Sequence, residues 1–406
     1  MLLLCGELDA GGTQRVVANL ARGLNDRGHR VVVATFCDGG TDFFRLPPVI
    51  GRARMRDSGR TVVATTHRTL RGRVSRIAGN LPHRAQRLLA TRATTWAMAA
   101  YLRRLDRIRW IRDTIEAHGP ATVVSFGPGA NVAALIAARG LPCRVVVSER
   151  NDVERHSIDF LLATLCRRLY TGADVVTANS HGTLAGLARW VPPDRLAYVP
   201  NPLAIPDGAR SGPAPSGFAG PCVLTVARLV EQKEHTVLLD AFARLPSGLD
   251  HWRLAVVGSG PEEQALRRQA DRLGIADRVD WYGRCDDPYA FYRHADVFAL
   301  PSRFEGMPNA LLEAMSFGLP AIVADGTPGP LEVVHHGETG LVTAGGDPEA
   351  LASAITLLAT RPDLRRALGE SARREVRRFA MAEAVGAWAA VLALPDRVAV
   401  AEEPIA

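Results

Sequence analysis

Short runs of hydrophobic residues alternate along the chain with segments in which apolar positions recur every three or four residues. The first run is Leu2 to Cys5, and the segment from about Gln14 to Arg27 places Val17, Leu20 and Leu24 on one helical face. The same alternation continues to the end of the chain. This order of strands and helices is typical of parallel sheets covered by helices, so the pattern predicts an α/β protein rather than an all-β or all-α one.

Further strands are predicted wherever a short apolar run is bounded by turn residues. They are Arg30–Thr35, Ala121–Phe126, Arg144–Ser148, Val175–Ala178, Cys222–Val226, Arg253–Val257, Val279–Tyr282, Val297–Leu300 and Ala321–Ala324. Helices are also predicted from Trp96 to His118 and from Met381 to Leu394, and the second has an apolar surface that needs a partner.

A stretch rich in proline, glycine, serine and alanine separates two well-patterned halves of the chain. It runs from Pro200 to Gly220, and such composition is typical of interdomain linkers. The length of 406 residues suits two or three domains. We therefore predict a first domain over residues 1–203 and a second over residues 217–380.

The two halves differ in charge. The first 210 residues carry 30 basic and 16 acidic residues, a net charge of +14, and the remainder carries 19 basic and 26 acidic residues, a net charge of −7. The segment from Gly51 to Arg92 holds about thirteen basic side chains, two of them histidines, and one acid, Asp57. Such a segment indicates either a solvated loop or contact with an anionic surface. Because it lacks interleaved aromatic residues, we expect no nucleic acid partner.

Signals for metals, disulfides and membrane spans are weak. The six cysteines form no Cys-x-x-Cys pair, and the sequence contains no Asp-x-Asp triplet, His-Glu-x-x-His motif or Walker loop, so we expect no metal and no cofactor. No apolar stretch reaches the roughly 18 residues that span a bilayer. The expected location is the cytoplasm, with peripheral attachment to the inner face of the membrane left open.

Two glutamates flank a predicted helix start directly after the strand Val297–Leu300. Pro308 suits a first helical turn, so the helix is predicted to begin near Met307, where its free N–H groups would bind a phosphate. Glu305 precedes that end and Glu313 lies about 1.5 turns inside the helix. Two acids on either side of an anion site suit the hydroxyl groups of a sugar nucleotide. The alternative is a capped surface helix with two solvated acids.

Lysine occurs once among the 49 basic residues, at Lys233. It stands five residues after Arg228, which follows the strand Cys222–Val226, and ligands of open α/β sheets bind at the carboxyl ends of strands. The two cations could neutralise a diphosphate, the arginine as a bidentate fork and the lysine as a compact charge. The alternative is a solvated turn in which the lysine pairs with Glu231 and Glu234.

Two glycine turns precede predicted helices. Gly258-Ser259-Gly260 fits only the first half of a dinucleotide fingerprint, so a tight turn is favoured over an NAD site. Gly11-Gly12 would let a phosphate or substrate approach the backbone closely, or would form a simple turn.

In their order and context these motifs resemble those of the family-four retaining glycosyltransferases, whose GT-B fold has two Rossmann-like domains facing each other across a cleft. The resemblance spans nearly the whole chain and also rests on the motifs Ser148-Glu149-Arg150-Asn151 and Val199-Pro200-Asn201-Pro202. It implies that the last helix, within residues 381–395, completes the first domain, which would bind the acceptor. The second domain would bind the nucleotide sugar.

The resemblance implies a role for each candidate residue. Arg228 and Lys233 would bind the donor diphosphate, Glu305 would contact the transferred sugar, and Glu313 would hold the ribose hydroxyls. The other donor-side candidates are Met307, Pro308, Asn309, Ala310 and Leu311 at the helix start, Gly283, Arg284 and Cys285 near the base, and Gly258, Gly11 and Gly12.

The acceptor side departs from the family pattern. Many relatives carry a histidine in the loop after Ser148, where this chain has Glu149, Arg150 and Asn151 and reaches His156 only later. These three residues are the acceptor-side candidates.

The implied activity is transfer of a hexose or N-acetylhexosamine, with retention, from a nucleotide diphosphate sugar that we expect to be a UDP-sugar. The acceptor would be a glycan or a polyprenyl-diphosphate-linked glycan in the synthesis of a cell-surface polysaccharide or glycolipid. Two alternatives stay open: a protein that binds anionic membranes on a non-catalytic GT-B scaffold, and a sugar phosphorylase or epimerase of the same fold.

Overall fold

A computed structural model describes residues 1–9, 11–36, 42–55, 92–153, 158, 160–218, 220–285, 287–326 and 328–393, with side chains described in all of these ranges except 92–104. Most of the basic segment between Gly51 and Arg92, together with its predicted membrane contact, lies outside the described residues, and so does His156.

Seven strands form the first sheet. They are β1 (Leu2–Cys5), β2 (Val32–Thr35), β3 (Gly51–Arg54), β4 (Thr122–Phe126), β5 (Arg144–Glu149), β6 (Val175–Ala178) and β7 (Leu196–Tyr198). All are parallel, in the spatial order β3-β2-β1-β4-β5-β6-β7. The chain moves outwards from β1 to β3 and then returns to the other side of β1, which is the arrangement of a Rossmann-like sheet.

Six strands form the second sheet. They are β8 (Cys222–Val226), β9 (Arg253–Val257), β10 (Val279–Gly283), β11 (Val297–Leu300), β12 (Ala321–Ala324) and β13 (Gly340–Thr343). Their spatial order is β10-β9-β8-β11-β12-β13, and every neighbouring pair is parallel. The two parallel sheets confirm the predicted α/β class.

Thirteen α-helices occur among the described residues. They are α1 (Gly12–Asp26), α2 (Arg92–His118), α3 (Pro128–Ala137), α4 (Phe160–Leu169), α5 (His181–Leu187), α6 (His235–Ala243), α7 (Glu263–Arg272), α8 (Tyr289–His294), α9 (Asn309–Ser316), α10 (Pro328–Leu331), α11 (Pro348–Thr360), α12 (Pro362–Glu375) and α13 (Met381–Val391).

The chain divides into two compact units. The first comprises Met1–Ala21, His29–Val147 and Phe160–Asp174, and the second comprises Arg22–Gly28, Ser148–Asp159 and the described part of Val175–Ala406. All candidate residues except Gly11 and Gly12 lie in the second unit.

The core of the second unit explains why its strands are almost entirely apolar. Alternate residues of a strand point to opposite faces. Val223 and Val297 therefore join one buried cluster, whereas Leu224 and Phe298 join another on the opposite face. Helices cover both faces, so the strands lose the polar positions that a half-exposed sheet would keep.

The last helix, α13, finds a partner for its apolar surface inside the second unit. Trp388 is fully buried, and a Cβ at Gly23 would lie 2.4 Å from a methyl carbon of Val385. Arg27 donates to the carbonyl of Ala382 at 3.0 Å. The segment Arg22–Gly28 is therefore held directly against this helix.

Among the described residues, no helix combines the length and the apolar character that crossing a bilayer would require.

Candidate active site

Strands β8 and β11 lie side by side in the second sheet, although β9 and β10 separate them along the chain. Their register places Val223 beside Val297 and Leu224 beside Phe298. The strand order reverses between β8 and β11, and at such a point a crevice opens at the carboxyl ends where ligands of α/β sheets bind. The two charged motifs noted in the sequence follow these two strands.

Lys233 and Glu305 meet at this edge of the sheet. Lys233 ends a short 3₁₀ helix, Glu231–Lys233, and Glu305 lies in the loop after β11. The Lys233 Nζ donates a hydrogen bond to Glu305 Oε1 and forms an ion pair with it. The two side chains are 13% and 9% exposed. Because the pair is largely shielded from water, its attraction is stronger than that of a surface pair.

Arg303 forms ion pairs with Glu231 and Glu234, the two acids that the alternative of a solvated turn assigned to Lys233. Its Nη1 lies 2.9 Å from Glu231 Oε1, and its Nη2 lies 2.6 Å from Glu234 Oε1. The lysine is therefore left to pair with Glu305. Sequence reasoning missed Arg303, although a charge three residues after a strand end was a signal for it.

The loop that carries Lys233 is also bonded to the loop after β11 by its main chain. Arg303 N donates to the carbonyl of Gln232 at 2.9 Å, and Gln232 Nε2 donates to the carbonyl of Phe304 at 2.7 Å. Glu234 has a left-handed backbone, with φ 52° and ψ 39°. This conformation costs on the order of 1–3 kcal/mol for a non-glycine residue, and the surrounding contacts hold it.

Arg228 is an exposed cation two residues after the end of β8. Its guanidinium makes no hydrogen bond or ion pair with any described residue. The turn after β9 holds the backbone on both sides of it: Ala227 N donates to Val257 O at 3.0 Å, and Leu229 N donates to Ser259 O at 3.0 Å.

Two glycines allow this close contact. A Cβ at Gly258 would lie 1.9 Å from the carbonyl oxygen of Ala227, and one at Gly260 would lie 2.2 Å from that of Leu229. Gly258 also has a φ of +143°, which side chains rarely adopt. These contacts favour the tight turn over a dinucleotide site, and the turn supports the segment that carries Arg228.

Glu313 is buried inside α9. It is 3% exposed, and the hydroxyl of Tyr292, itself 1% exposed, donates to its Oε2 at 3.2 Å. Over the whole residue, Glu305 is 7% exposed. The alternative of two solvated acids on a surface helix is therefore wrong.

Helix α9 begins at Asn309, two residues later than predicted. Pro308 is its N-cap, with an extended backbone at φ −77° and ψ 124°, so the prediction that placed it in the first turn is wrong. Pro308 has no N–H to offer, and Met307 lies outside the helix. The N–H groups of the first turn are those of Asn309, Ala310 and Leu311.

Asn201 holds this helix start, and sequence reasoning gave it no chemical role. It is 2% exposed, and its Nδ2 lies 2.8 Å from the Met307 carbonyl and 2.6 Å from Asn309 Oδ1. Its Oδ1 accepts hydrogen bonds from Arg150 Nη2 and, at 3.3 Å, from Asn179 Nδ2. The available signal was an amide between two prolines at the start of the predicted linker.

The acceptor-side candidates lie at the end of β5 and just beyond it. Glu149 is the last strand residue, 4% exposed, rather than a loop residue as predicted. Burial lowers the pKa of Arg150 to about 9, against the opposing charges of Tyr198 and Glu149. Its guanidinium therefore stays charged at neutral pH. The carbonyl of Asn151 accepts from Thr183 Oγ1 at 3.3 Å.

His235 is a buried imidazole two residues after Lys233. It is 3% exposed, and neither ring nitrogen has a hydrogen-bond partner in the described part of the chain. Burial, and then the charge of Lys233, lower the pKa of His235 to about 4. The ring is neutral at pH 7.

The remaining candidates lie at turns. Gly283 ends β10 with φ 64°, and its carbonyl accepts from Gly258 N at 2.7 Å. Arg284 is exposed and Cys285 is partly buried. In the first unit, Gly12 begins α1 and the carbonyl of Gly11 accepts from Arg15 N at 3.0 Å. Direct roles for these residues in ligand binding stay predictions.

Two family models match the chain. The one described as "Glycosyl transferase 4-like domain" matches residues 11–202, and the one described as "Glycosyl transferases group 1" matches residues 218–375.

Named proteins also match. The chain is 36% identical over 195 residues to the exopolysaccharide phosphotransferase SCO2592 of Streptomyces coelicolor. The aligned region covers 48% of this chain and 20% of that protein. It is 31% identical over 288 residues to the GDP-mannose-dependent alpha-(1-6)-phosphatidylinositol monomannoside mannosyltransferase of Mycobacterium tuberculosis. This aligned region covers 66% of this chain and 74% of that protein. The chain thus spans only a small part of the first relative and most of the second.

The fold matches solved structures over nearly its whole length. The crystal structure of Anabaena Alr3699/HepE in complex with UDP has a TM-score of 0.68 and 18% sequence identity, covering 97% of this chain and 99% of that one. Identity at this level supports the fold alone.

Proposed function

The chain belongs to the family-four glycosyltransferases of the GT-B fold, and we propose that it transfers a hexose or N-acetylhexosamine from a nucleotide diphosphate sugar to a hydroxyl group of a glycan or lipid-linked acceptor, with retention of configuration. Residues 217–380 would bind the donor and residues 1–203 the acceptor. The observation that carries the proposal is the shielded pair of Lys233 and Glu305, formed between the loops after two neighbouring strands. The loop that carries Lys233 also carries Arg228, whose exposed guanidinium has no partner among the described residues.

The charges of this site suit a diphosphate. Arg228 offers a fork of donors and Lys233 a compact ammonium, and the first N–H groups of α9 add the positive end of a helix dipole. An arriving diphosphate would compete with Glu305 for the lysine. The carboxylate of Glu305 would then be released towards the hydroxyl groups of the transferred sugar.

The same charges would assist the reaction. The bond from the sugar C1 to the β-phosphate oxygen breaks, and negative charge grows on that oxygen. Arg228, Lys233 and the start of α9 would stabilise this charge, because positive groups fixed in advance need no reorganisation when the charge develops. The acceptor oxygen bonds to C1 on the face that the phosphate leaves, and its proton passes to the departing phosphate oxygen. Glu313, positioned by Tyr292, would hold the ribose hydroxyls.

The donor nucleotide and the acceptor are further parts of the proposal. The Anabaena neighbour was solved with UDP and the mycobacterial relative is named for GDP-mannose, so both nucleotides belong in the test, with a UDP-sugar as our proposal. The mycobacterial name also includes a lipid-linked acceptor. The arginine-rich composition between Gly51 and Arg92 supports a place at an anionic membrane surface on the cytoplasmic side.

A donor screen tests the proposed function. UDP- and GDP-sugars are added to the protein, and the unfolding midpoint and the release of nucleotide are measured with and without a lipid-linked acceptor. A bound donor at about 100 times its dissociation constant should add about 2.7 kcal/mol of stability. Acceptor-dependent release of nucleotide supports a transferase. Release that depends on inorganic phosphate instead, or no release with any donor, contradicts it.

Substitution of Lys233 tests the assignment of the diphosphate. Lys233→Ala should lower the transfer rate at least tenfold, and Lys233→Arg should restore it only in part because the planar fork cannot replace the compact ammonium beside Glu305. Arg244→Ala, which removes one exposed positive charge at the end of α6, is the control and should retain the wild-type rate. Full activity of Lys233→Ala would refute the assignment.

A further inference from the structure

The side-chain amide of Asn201 can take only one orientation. Arg150 has donors and no acceptor, so the atom that faces it must be Oδ1. The Nδ2 atom must then face the opposite way, where the Met307 carbonyl and the Oδ1 of Asn309 accept from it. All of these groups lie in the second unit.

The backbone of Asn201 is also tightly constrained. Pro200 and Pro202 flank it, and proline fixes its own φ and restricts the residue before it. Val199 N, two residues earlier, donates to the carbonyl of Ala178 at 2.9 Å. The amide is thus held by its own chain as well as by its four side-chain contacts.

The groups that Asn201 joins belong to two parts of the proposed site. Met307 and Asn309 form the start of α9, where the donor would bind, and Arg150 is an acceptor-side candidate. The two loops touch closely, since a Cβ at Gly306 would lie 2.6 Å from the carbonyl oxygen of Arg150. The side chain of Asn201 hydrogen-bonds to both loops.

We propose that Asn201 is a positioning residue for the transfer reaction, which holds the start of α9 in a fixed register with Arg150. The inference rests on the proposed function. In the described part of the chain neither Lys233 nor Arg228 is hydrogen-bonded to Asn201, whose side-chain partners are Arg150, Asn179, Met307 and Asn309. The diphosphate should therefore still bind when the amide is lost. The alignment of donor and acceptor should suffer instead, because small displacements of reacting groups slow a reaction strongly.

The test compares kcat, donor KM and unfolding free energy for Asn201→Ala and Asn201→Asp. The aspartate keeps an acceptor for Arg150 but loses the donor to Met307. Both variants should lower kcat at least tenfold while donor KM changes less than threefold. Asn201→Ser replaces the alanine variant if the latter does not fold at the assay temperature. Wild-type kcat in Asn201→Asp, or a tenfold rise in donor KM with kcat unchanged, would overturn the proposal.

Asn131→Ala is the matched control. Asn131 is fully buried and its side chain bonds to Ser125 Oγ and to Tyr170 Oη, all within the first unit. It should lose stability as Asn201→Ala does and keep kcat within twofold. An equal fall of kcat in this control would show that general destabilisation explains the effect.

A double variant tests whether Asn201 and Arg150 act together or independently of each other. If Asn201 acts through Arg150, kcat of Asn201→Ala with Arg150→Ala should fall no more than twofold below the worse single variant. Multiplication of the two losses would overturn the coupling. A wild-type protein that turns over no sugar nucleotide would refute the proposed function itself, which is a different result from an active wild type with an indifferent Asn201.

Discussion

His235 illustrates how burial sets the protonation of one side chain. His235 follows Lys233 by two residues, is 3% exposed, and its ring has no hydrogen-bond partner in the described residues. The unfolded chain would bind a proton at an ordinary histidine pKa near 6.5, whereas the folded chain binds it only near pH 4. Between these values the unfolded state holds more protons, so stability rises with pH.

We therefore predict that acidification from pH 7 to pH 4 lowers the unfolding free energy through His235 by about 3 kcal/mol. Carboxylates titrate over the same range, so the measurement is the difference between the wild type and His235→Gln in denaturant titrations at each pH. The variant should lose less stability on acidification. Parallel curves for the two proteins would contradict the prediction.

Some residues of the site could be predicted from the sequence and others could not. The candidates Lys233, Glu305, Arg228 and Glu313 could be selected from the sequence because each follows a strand end or lies inside a patterned helix. Asn201 was not, since its importance comes from partners about 50 and 106 residues away. Contacts of that separation leave no local signature.

The turn Val257–Pro261 shows how one element supports another. Its glycines let its backbone lie against the segment after β8, and the hydrogen bonds formed there hold the backbone on both sides of Arg228. A methyl group at Gly258 would be strained by the φ of +143° and would clash with the carbonyl of Ala227.

We predict that Gly258→Ala lowers stability by about 1–3 kcal/mol and weakens donor binding by displacing Arg228. Gly248→Ala, at a glycine of the same sheet domain with no atom within 4 Å of its Cβ position, should change stability by less than about 0.5 kcal/mol. Chemical denaturation and donor calorimetry measure the two effects. Unchanged donor affinity in a folded Gly258→Ala would show that the turn does not position Arg228.

Elements with strong patterns were predicted best. The ten predicted strands are present with bounds within about two residues, because their buried runs are continuous. Strands β3, β7 and β13 were missed: β3 reads Gly-Arg-Ala-Arg and β7 has three residues. Short or polar edge strands owe their pairing to their neighbours rather than to their own sequence. The start of α9 was misplaced because Pro308 suits both a first turn and an N-cap.

For the molecule as a whole, the positive charge of the proposed donor site comes from the chain's own side chains and helix start. In the proposed site, Arg228, Lys233 and the first turn of α9 would together supply the positive charge that a diphosphate needs. No cluster of three or more histidine, cysteine or acidic side chains suited to a metal occurs among the described residues.

We predict that transfer continues in the presence of EDTA, since the cations of the proposed site would stabilise the leaving phosphate without a metal. The measurement is the initial rate before chelation, after chelation, and after addition of magnesium or manganese. A rate that falls on chelation and returns with either ion would mean that a metal shares this charge.

The lysine of the Lys233–Glu305 pair also offers a simple way to label the protein at one position. Lys233 carries the only side-chain amine in this sequence, so an acylating reagent has one such target, and a lysine-specific protease would cut after this residue alone. The Lys233 side chain is 13% exposed and its amine is paired with a carboxylate, so its modification should be slow in the folded protein and fast after unfolding. Mass spectrometry of the acylated protein would thus report how accessible this one lysine is, and no substitution would be needed to introduce the label.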